Sequence, residues 1–82
     1  MRVLLFAGLA DLAGATQIDL ELPPLADGEA VHVADLRAAF ERQVPAAVQT
    51  SYQVAVDHAY AQDGDPVQDG QEVAFIPPVS GG

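Results

Sequence analysis

Eighty-two residues with 50% apolar content make one small globular domain, and a chain this short buries only roughly 60–65% of its unfolded surface, too little to enclose a complete enzyme pocket with ease. Twelve acids stand against Arg2, Arg37 and Arg42, for a net charge of −9, with no lysine and no cysteine. That balance excludes backbone-directed nucleic-acid binding, which needs clustered Lys and Arg, and it excludes a disulfide framework, a thiolate metal site and a thiol nucleophile.

The N-terminal stretch "MRVLLFAGLADLAG" has one Arg and a short apolar run, but Asp11 and the strand-like "RVLLF" place it in the fold rather than in a signal peptide. Residues 2–7, "RVLLFA", are almost continuously apolar, as expected of a strand covered on both faces. Gly8 and Gly14 bracket "LADLA", a turn or a single helical turn. Residues 16–22, "TQIDLEL", alternate strictly, which predicts a half-exposed strand stopped by Pro23-Pro24. "LADGEAVH" is a loop. In "VADLRAAFERQV", Val33, Leu36, Phe40 and Val44 recur at helical spacing, with His32 at the N-cap position and Asp35 three residues on. Pro45 marks the end of that helix or the connection after it.

"SYQVAVDHAYA" predicts a strand, a tight turn near Asp57-His58 and a short return arm. Asp63-Gly64 and Asp69-Gly70 are turn signals. "EVAFI", residues 72–76, is a second nearly continuous apolar strand, ended by Pro77-Pro78. The order is therefore strand, strand, helix, strand, short strand, strand, with the first and last the most apolar and expected as central, parallel neighbours. This is the α+β arrangement of a ubiquitin-like β-grasp: a mixed sheet of about five strands with one main helix on one face, over residues 1–76, and a tail of residues 77–82. One helix covers one face only, so apolar residues on the other face mark a partner surface. Alternation separates Leu4 and Phe6 from Val3 and Leu5, and Ala74 and Ile76 from Val73 and Phe75, without saying which set meets the helix.

The ubiquitin-like order and the closing "PPVSGG" point to the terminal carboxylate as the working group. "FAGLADLAG" at 6–14, "VADLR" at 33–37 and above all "DGQEVAFIPPVSGG" at 69–82 resemble the small, sulfur-carrying subunits of molybdopterin synthase, over nearly the whole chain. The resemblance implies that an ATP-using activating enzyme adenylates the Gly82 carboxylate and that sulfur, from a donor such as a cysteine desulfurase, displaces the adenylate to leave a thiocarboxylate. The tail then enters the large subunit of the synthase, in a heterotetramer, and donates its sulfur to cyclic pyranopterin monophosphate. The chain would be a sulfurtransferase subunit, not catalytic alone, cytoplasmic, with no bound cofactor or metal and no nucleic-acid or membrane partner.

The residues suit that chemistry. Gly81 and Gly82 lack Cβ atoms and can thread a narrow channel. Pro77 and Pro78 hold the chain extended, and six residues reach about 20 Å at full extension. Val79 supplies an apolar anchor and Ser80 a small polar contact. Carrying sulfur on the main chain requires no thiol. The family's apolar patch beside the tail maps onto Phe6, Tyr60 and Ile76, where Tyr60 replaces a smaller aliphatic residue and Ile76 a common Phe; Ala10 replaces an expected basic residue.

Three other readings stand beside this one. The same tail would serve a sulfur carrier for thiamin, cysteine or thiolated tRNA. A ubiquitin-like protein modifier would join Gly82 to lysines of its targets, though without lysine this chain links to itself only through the Met1 amine. A plain interaction module would leave the tail idle. His32 and His58 read as helix-start and turn residues rather than ligands. "DGDPVQDG" at 63–70 lacks the acidic twelfth position of a calcium loop, and Ser80 lacks the setting of a hydrolase nucleophile.

Overall fold

The computed structural model describes residues 1–22, 25 and 28–78. In chain order its elements are β1 Arg2–Leu5, α1 Ala7–Ala13, β2 Gln17–Asp19, β3 Val31–His32, α2 Val33–Gln43, a 3-10 turn Pro45–Gln49, β4 Gln53–Val56, β5 Ala59–Ala61, β6 Pro66–Val67 and β7 Val73–Ile76. The main sheet runs β2-β1-β7-β4-β5, with β1 and β7 parallel and the other neighbours antiparallel. This is the mixed five-stranded β-grasp, and the two most apolar strands are indeed parallel neighbours in its middle.

Register decides which face each residue serves. Val3, Leu5, Val54, Val73 and Phe75 are at most 2% exposed and pack under α2, whose Val33, Leu36, Ala39 and Phe40 are equally buried. Three aromatic rings close this core, with Phe40 and Phe75 centroids 4.8 Å apart and Tyr52 set 5.3 Å from Phe75 and edge-on to Phe40 at 5.7 Å. Such pairs add to area burial because the ring quadrupoles favour tilted and edge-to-face contact.

α2 starts where the sequence places it. His32 is extended, and its backbone N–H donates to Asp35 Oδ2 at 2.9 Å. The next two helix N–H groups donate to loop carbonyls, Val33 to Asp65 at 3.0 Å and Ala34 to Asp63 at 3.0 Å, satisfying donors with no intrahelical partner. The β3–β6 ladder beside them pairs Val31 with Val67 and His32 with Pro66. Strands of two residues carry no periodicity, so this ladder is invisible in the sequence.

Three expectations shift. The first strand ends at Leu5 rather than Ala7, and Ala7 takes a left-handed φ of +49°. From there α1 runs seven residues, longer than a turn or single helical turn, because Leu9 reaches the core with no exposure. Gly14, at φ +74°, ends it with an N–H donated to Ala10 carbonyl at 2.8 Å, a conformation that suits a residue without Cβ. The second strand spans Gln17–Asp19 rather than 16–22, with Leu20 still tied to Met1 by hydrogen bonds of 2.7 and 3.0 Å. The expected stop at Pro23-Pro24 lies outside the described residues.

Tyr52 sits at the edge of the core. Its hydroxyl donates to Glu41 Oε2 at 2.8 Å, and the Arg37 guanidinium carbon lies 4.7 Å from its ring centroid. Arg37 Nε also stands 2.7 Å from Asp63 Oδ1, a charge contact whose alignment falls short of a hydrogen bond. Burial first, and the Glu41 carboxylate second, raise the Tyr52 phenol well above its ordinary range. A phenol raised by folding binds its proton more tightly in the native state, so stability falls as pH rises past the ordinary tyrosine value of about 10. Tyr52→Phe removes that titration. Its melting temperature is expected to fall less steeply above pH 10 than that of the wild type in a calorimetric pH series.

Candidate functional site

Strand β7 is hydrogen-bonded on both sides, to β1 and β4, and delivers the chain at Ile76 into half-buried Pro77 and exposed Pro78. Val79, Ser80, Gly81 and Gly82, the remainder of the expected tail, lie outside the described residues.

Beside the exit, on the face away from α2, the sheet carries an apolar concavity of about 360 Å³. Phe6, Tyr60 and Ile76 all line it, so the structure brings the three expected surface residues together. Phe6 is 47% exposed and Tyr60 69%. Together these side chains form an exposed apolar patch, a feature that single scattered surface residues do not make.

The register explains the hollow. Leu4 pairs with Ala74, Ala74 with Ala55, and Ala55 with Tyr60, one continuous row across four strands. Two methyl groups in the middle of that row make a floor, and Leu4 and Tyr60 stand as walls at its ends. Phe6 and Ile76 bound it on the tail side by the two-residue alternation of β1 and β7. Phe6 takes its place at the corner where Ala7 turns left-handed into α1.

The opposite end of the concavity is polar. Asp57 and His58 form the two-residue turn between β4 and β5, with φ of +50° and +69°, the paired left-handed geometry that matches the twist of a tight hairpin. Asp57 Oδ1 accepts the Glu72 backbone N–H at 2.9 Å, Oδ2 accepts from Gln71 Nε2 at 3.0 Å, and the Asp57 N–H donates to the Glu72 carbonyl at 2.8 Å. The backbone hydrogen bond from Glu72, then that from Gln71, hold the Asp57 carboxyl below its usual range. His58 Nε2 lies 3.1 Å from Glu72 Oε2. His58 and Glu72 are the ionisable groups that line the hollow together with Tyr60.

Sequence reasoning missed Ala55, His58 and Glu72. Alternation along β1 and β7 already groups Leu4 and Ala74 with Phe6 and Ile76, but Ala55 and the turn enter only through cross-strand register. Ala10, where a basic residue was expected, packs half-buried against the core. His32 is engaged in the helix start, and among the described residues no three His, Asp or Glu side chains are grouped to hold a metal ion. No described helix is long and apolar enough to cross a membrane.

Comparison with known proteins agrees with this geometry. Residues 3–82 match the model of the ThiS family. The chain is 36% identical over 86 aligned positions to the molybdopterin synthase sulfur carrier subunit of Chlamydomonas reinhardtii, covering 100% of this chain and 98% of that protein. Among solved structures, SAMP1 from Haloferax volcanii superposes with a TM-score of 0.79 at 29% identity, covering 100% of this chain and 98% of the other. A putative molybdopterin converting factor, subunit 1, from Pyrococcus furiosus superposes with a TM-score of 0.80 at 25% identity, covering 95% of each.

Proposed function

Because this chain belongs to the ThiS family of sulfur carriers, we propose that it is the sulfur-donating small subunit of a molybdopterin synthase, with the Gly82 carboxylate as its reacting group. The observation that carries this reading is the 36% identity, end to end, with a sulfur carrier subunit of that synthase, in a fold whose central strand leads straight into Pro-Pro-Val-Ser-Gly-Gly.

The chemistry is a two-step acyl activation. A carboxylate oxygen of Gly82 attacks the α-phosphate of ATP on an adenylating enzyme and pyrophosphate leaves. The mixed anhydride then accepts a sulfur nucleophile at its carbonyl carbon, AMP leaves, and a thiocarboxylate remains. Activation of this kind divides one difficult substitution into two easier ones. In this reading the chain is a substrate-like subunit worked on by partners. Residues 1–76 act as the recognition body and residues 77–82 as the reactive arm. Phe6, Tyr60 and Ile76 dock against the partner that receives the arm, the large synthase subunit in a heterotetramer or the adenylating enzyme.

The test is intact mass after incubation with ATP, the adenylating enzyme and sulfide. The expected result is a gain of one sulfur for one oxygen, placed on Gly82 by fragmentation. With no cysteine in the chain, a thiol alkylator labels that group alone. Adding the large subunit and cyclic pyranopterin monophosphate should return the mass to its starting value with appearance of the dithiolene product. Discharge to a thiamin, cysteine or tRNA pathway instead would reassign the recipient.

A second reading, conjugation to target lysines as a ubiquitin-like modifier, is favoured by the likeness to SAMP1, named elsewhere as small archaeal modifier protein 1. Covalent adducts of this chain on other proteins would support it.

A further inference from the structure

We propose that the Asp57–His58 turn presents Glu72 as an ionic anchor for a guanidinium or ammonium group of the docking partner, and that the Ala55–Ala74 floor beside it admits one bulky apolar side chain of the same partner. This rests on the reading of the apolar face as the docking surface, and it specifies what that surface recognises.

The carboxylate is preorganised. Glu72 is clamped through its own backbone in both directions, donating to Asp57 Oδ1 and accepting from the Asp57 N–H. Asp57 uses its second oxygen on Gln71, so both carboxylate oxygens are engaged within the turn while the group stays ionised. Two residues in left-handed backbone hold this arrangement, at a conformational cost that β-hairpin twist alone would repay more cheaply with Asn-Gly. What remains outward is the Glu72 carboxylate, about half exposed, with His58 as its neighbour at 3.1 Å. The imidazole is 85% exposed, so an incoming cation displaces it without unpacking anything.

Charge complementarity names the partner's chemistry. The chain carries −9, and no arginine lines the concavity. Arg2 lies near the same end of β1, and it is directed to Asp19 across β2 at 3.5 Å. The spacing is set by β7: Glu72 and Ile76 are four residues apart, about 13 Å at roughly 3.3 Å each. The surface therefore reads a cation at one end and leads the tail out at the other, with a hollow for one side chain between. Rim charges of this kind govern encounter rate and salt dependence, while a filled apolar pocket governs residence.

The experiment measures binding of this chain to its adenylating enzyme by titration calorimetry at low and moderate salt. Every transfer pathway considered above begins with that enzyme. Glu72→Gln keeps the backbone clamp and removes the charge. It is expected to weaken binding about tenfold at low salt and to flatten the salt dependence. Ala74→Leu fills the floor from the solvent side and should weaken binding by a hundredfold or more, with circular dichroism reporting an intact fold. His58→Ala should bind at least as tightly as wild type. Binding of Glu72→Gln within twofold of wild type at both salt concentrations overturns the ionic anchor, and wild-type affinity of Ala74→Leu overturns the hollow. The same series run on chains ending at Pro78 separates this inference from the sulfur chemistry. If wild type binds and Glu72→Gln weakens that binding, yet the wild-type chain never gains sulfur on Gly82, the carrier function is refuted and the anchor supported.

Discussion

Deleting Gly82 is expected to abolish sulfur loading. The shortened chain ends in a carboxylate on Gly81, about 3.3 Å short of the reacting position. Misplacement by about 1 Å already costs roughly a hundredfold in a positioned reaction, so the yield of thiocarboxylate under conditions that load the wild type fully is expected to fall at least that far. The loss is chemical rather than structural. The last strand, Val73–Ile76, is untouched, and the unfolding free energy from urea titration should match that of the wild type within the ~0.5 kcal/mol typical of surface changes. Loading that survives the deletion would refute the carboxylate of Gly82 as the reacting group. Gly81→Val tests the channel separately, because a β-branched side chain leaves the carboxylate in place but widens the arm. It should load slowly, starting from an intact mass that differs from wild type only by the substitution.

Phe75→Ala unfolds the domain or brings it close to unfolding. Phe75 has no exposure, and its ring packs between those of Phe40 and Tyr52. Truncations of buried aromatics cost about 3–5 kcal/mol, while 82 residues at roughly 0.05–0.15 kcal/mol each hold about 4–12 kcal/mol in total. In a domain of this size each kcal/mol moves the midpoint by about 4–8 °C, so a fall of at least 12 °C is expected by calorimetry. Ile76→Ala is the paired control. Ile76 is the next residue but faces the open concavity, and truncation there should lower the midpoint far less while weakening partner binding. Equal destabilisation by the two would contradict the assignment of faces.

The fold was legible wherever periodicity ran long enough. α2 follows from Val33, Leu36 and Phe40 and from the His32/Asp35 start, and the central pairing of β1 with β7 follows from two uninterrupted apolar runs. α1 was under-read because "LADLA" offers one large side chain, Leu9, to the core beside the small Ala10 and Ala13, too weak a periodic signal. The site was legible in part. Phe6, Tyr60 and Ile76 came from the family resemblance, and alternation alone would have added Leu4 and Ala74. Ala55 and Glu72 required knowledge of which strands are neighbours and in what register, a three-dimensional fact that a two-residue alternation does not contain. The link between Asp57 and Glu72 lies further still from sequence, since it joins a hairpin turn to the start of a strand fifteen residues on.

The position of β7 has a mechanical consequence. The arm is rooted in the middle strand of the sheet, so a pull on residues beyond Ile76 acts along β7 against two flanking ladders at once. Under that geometry the hydrogen bonds to β1 and β4 share the load in shear, where an edge strand would have a single ladder to resist it. Tension applied to the chain beyond Ile76 is therefore carried by the sheet as a whole.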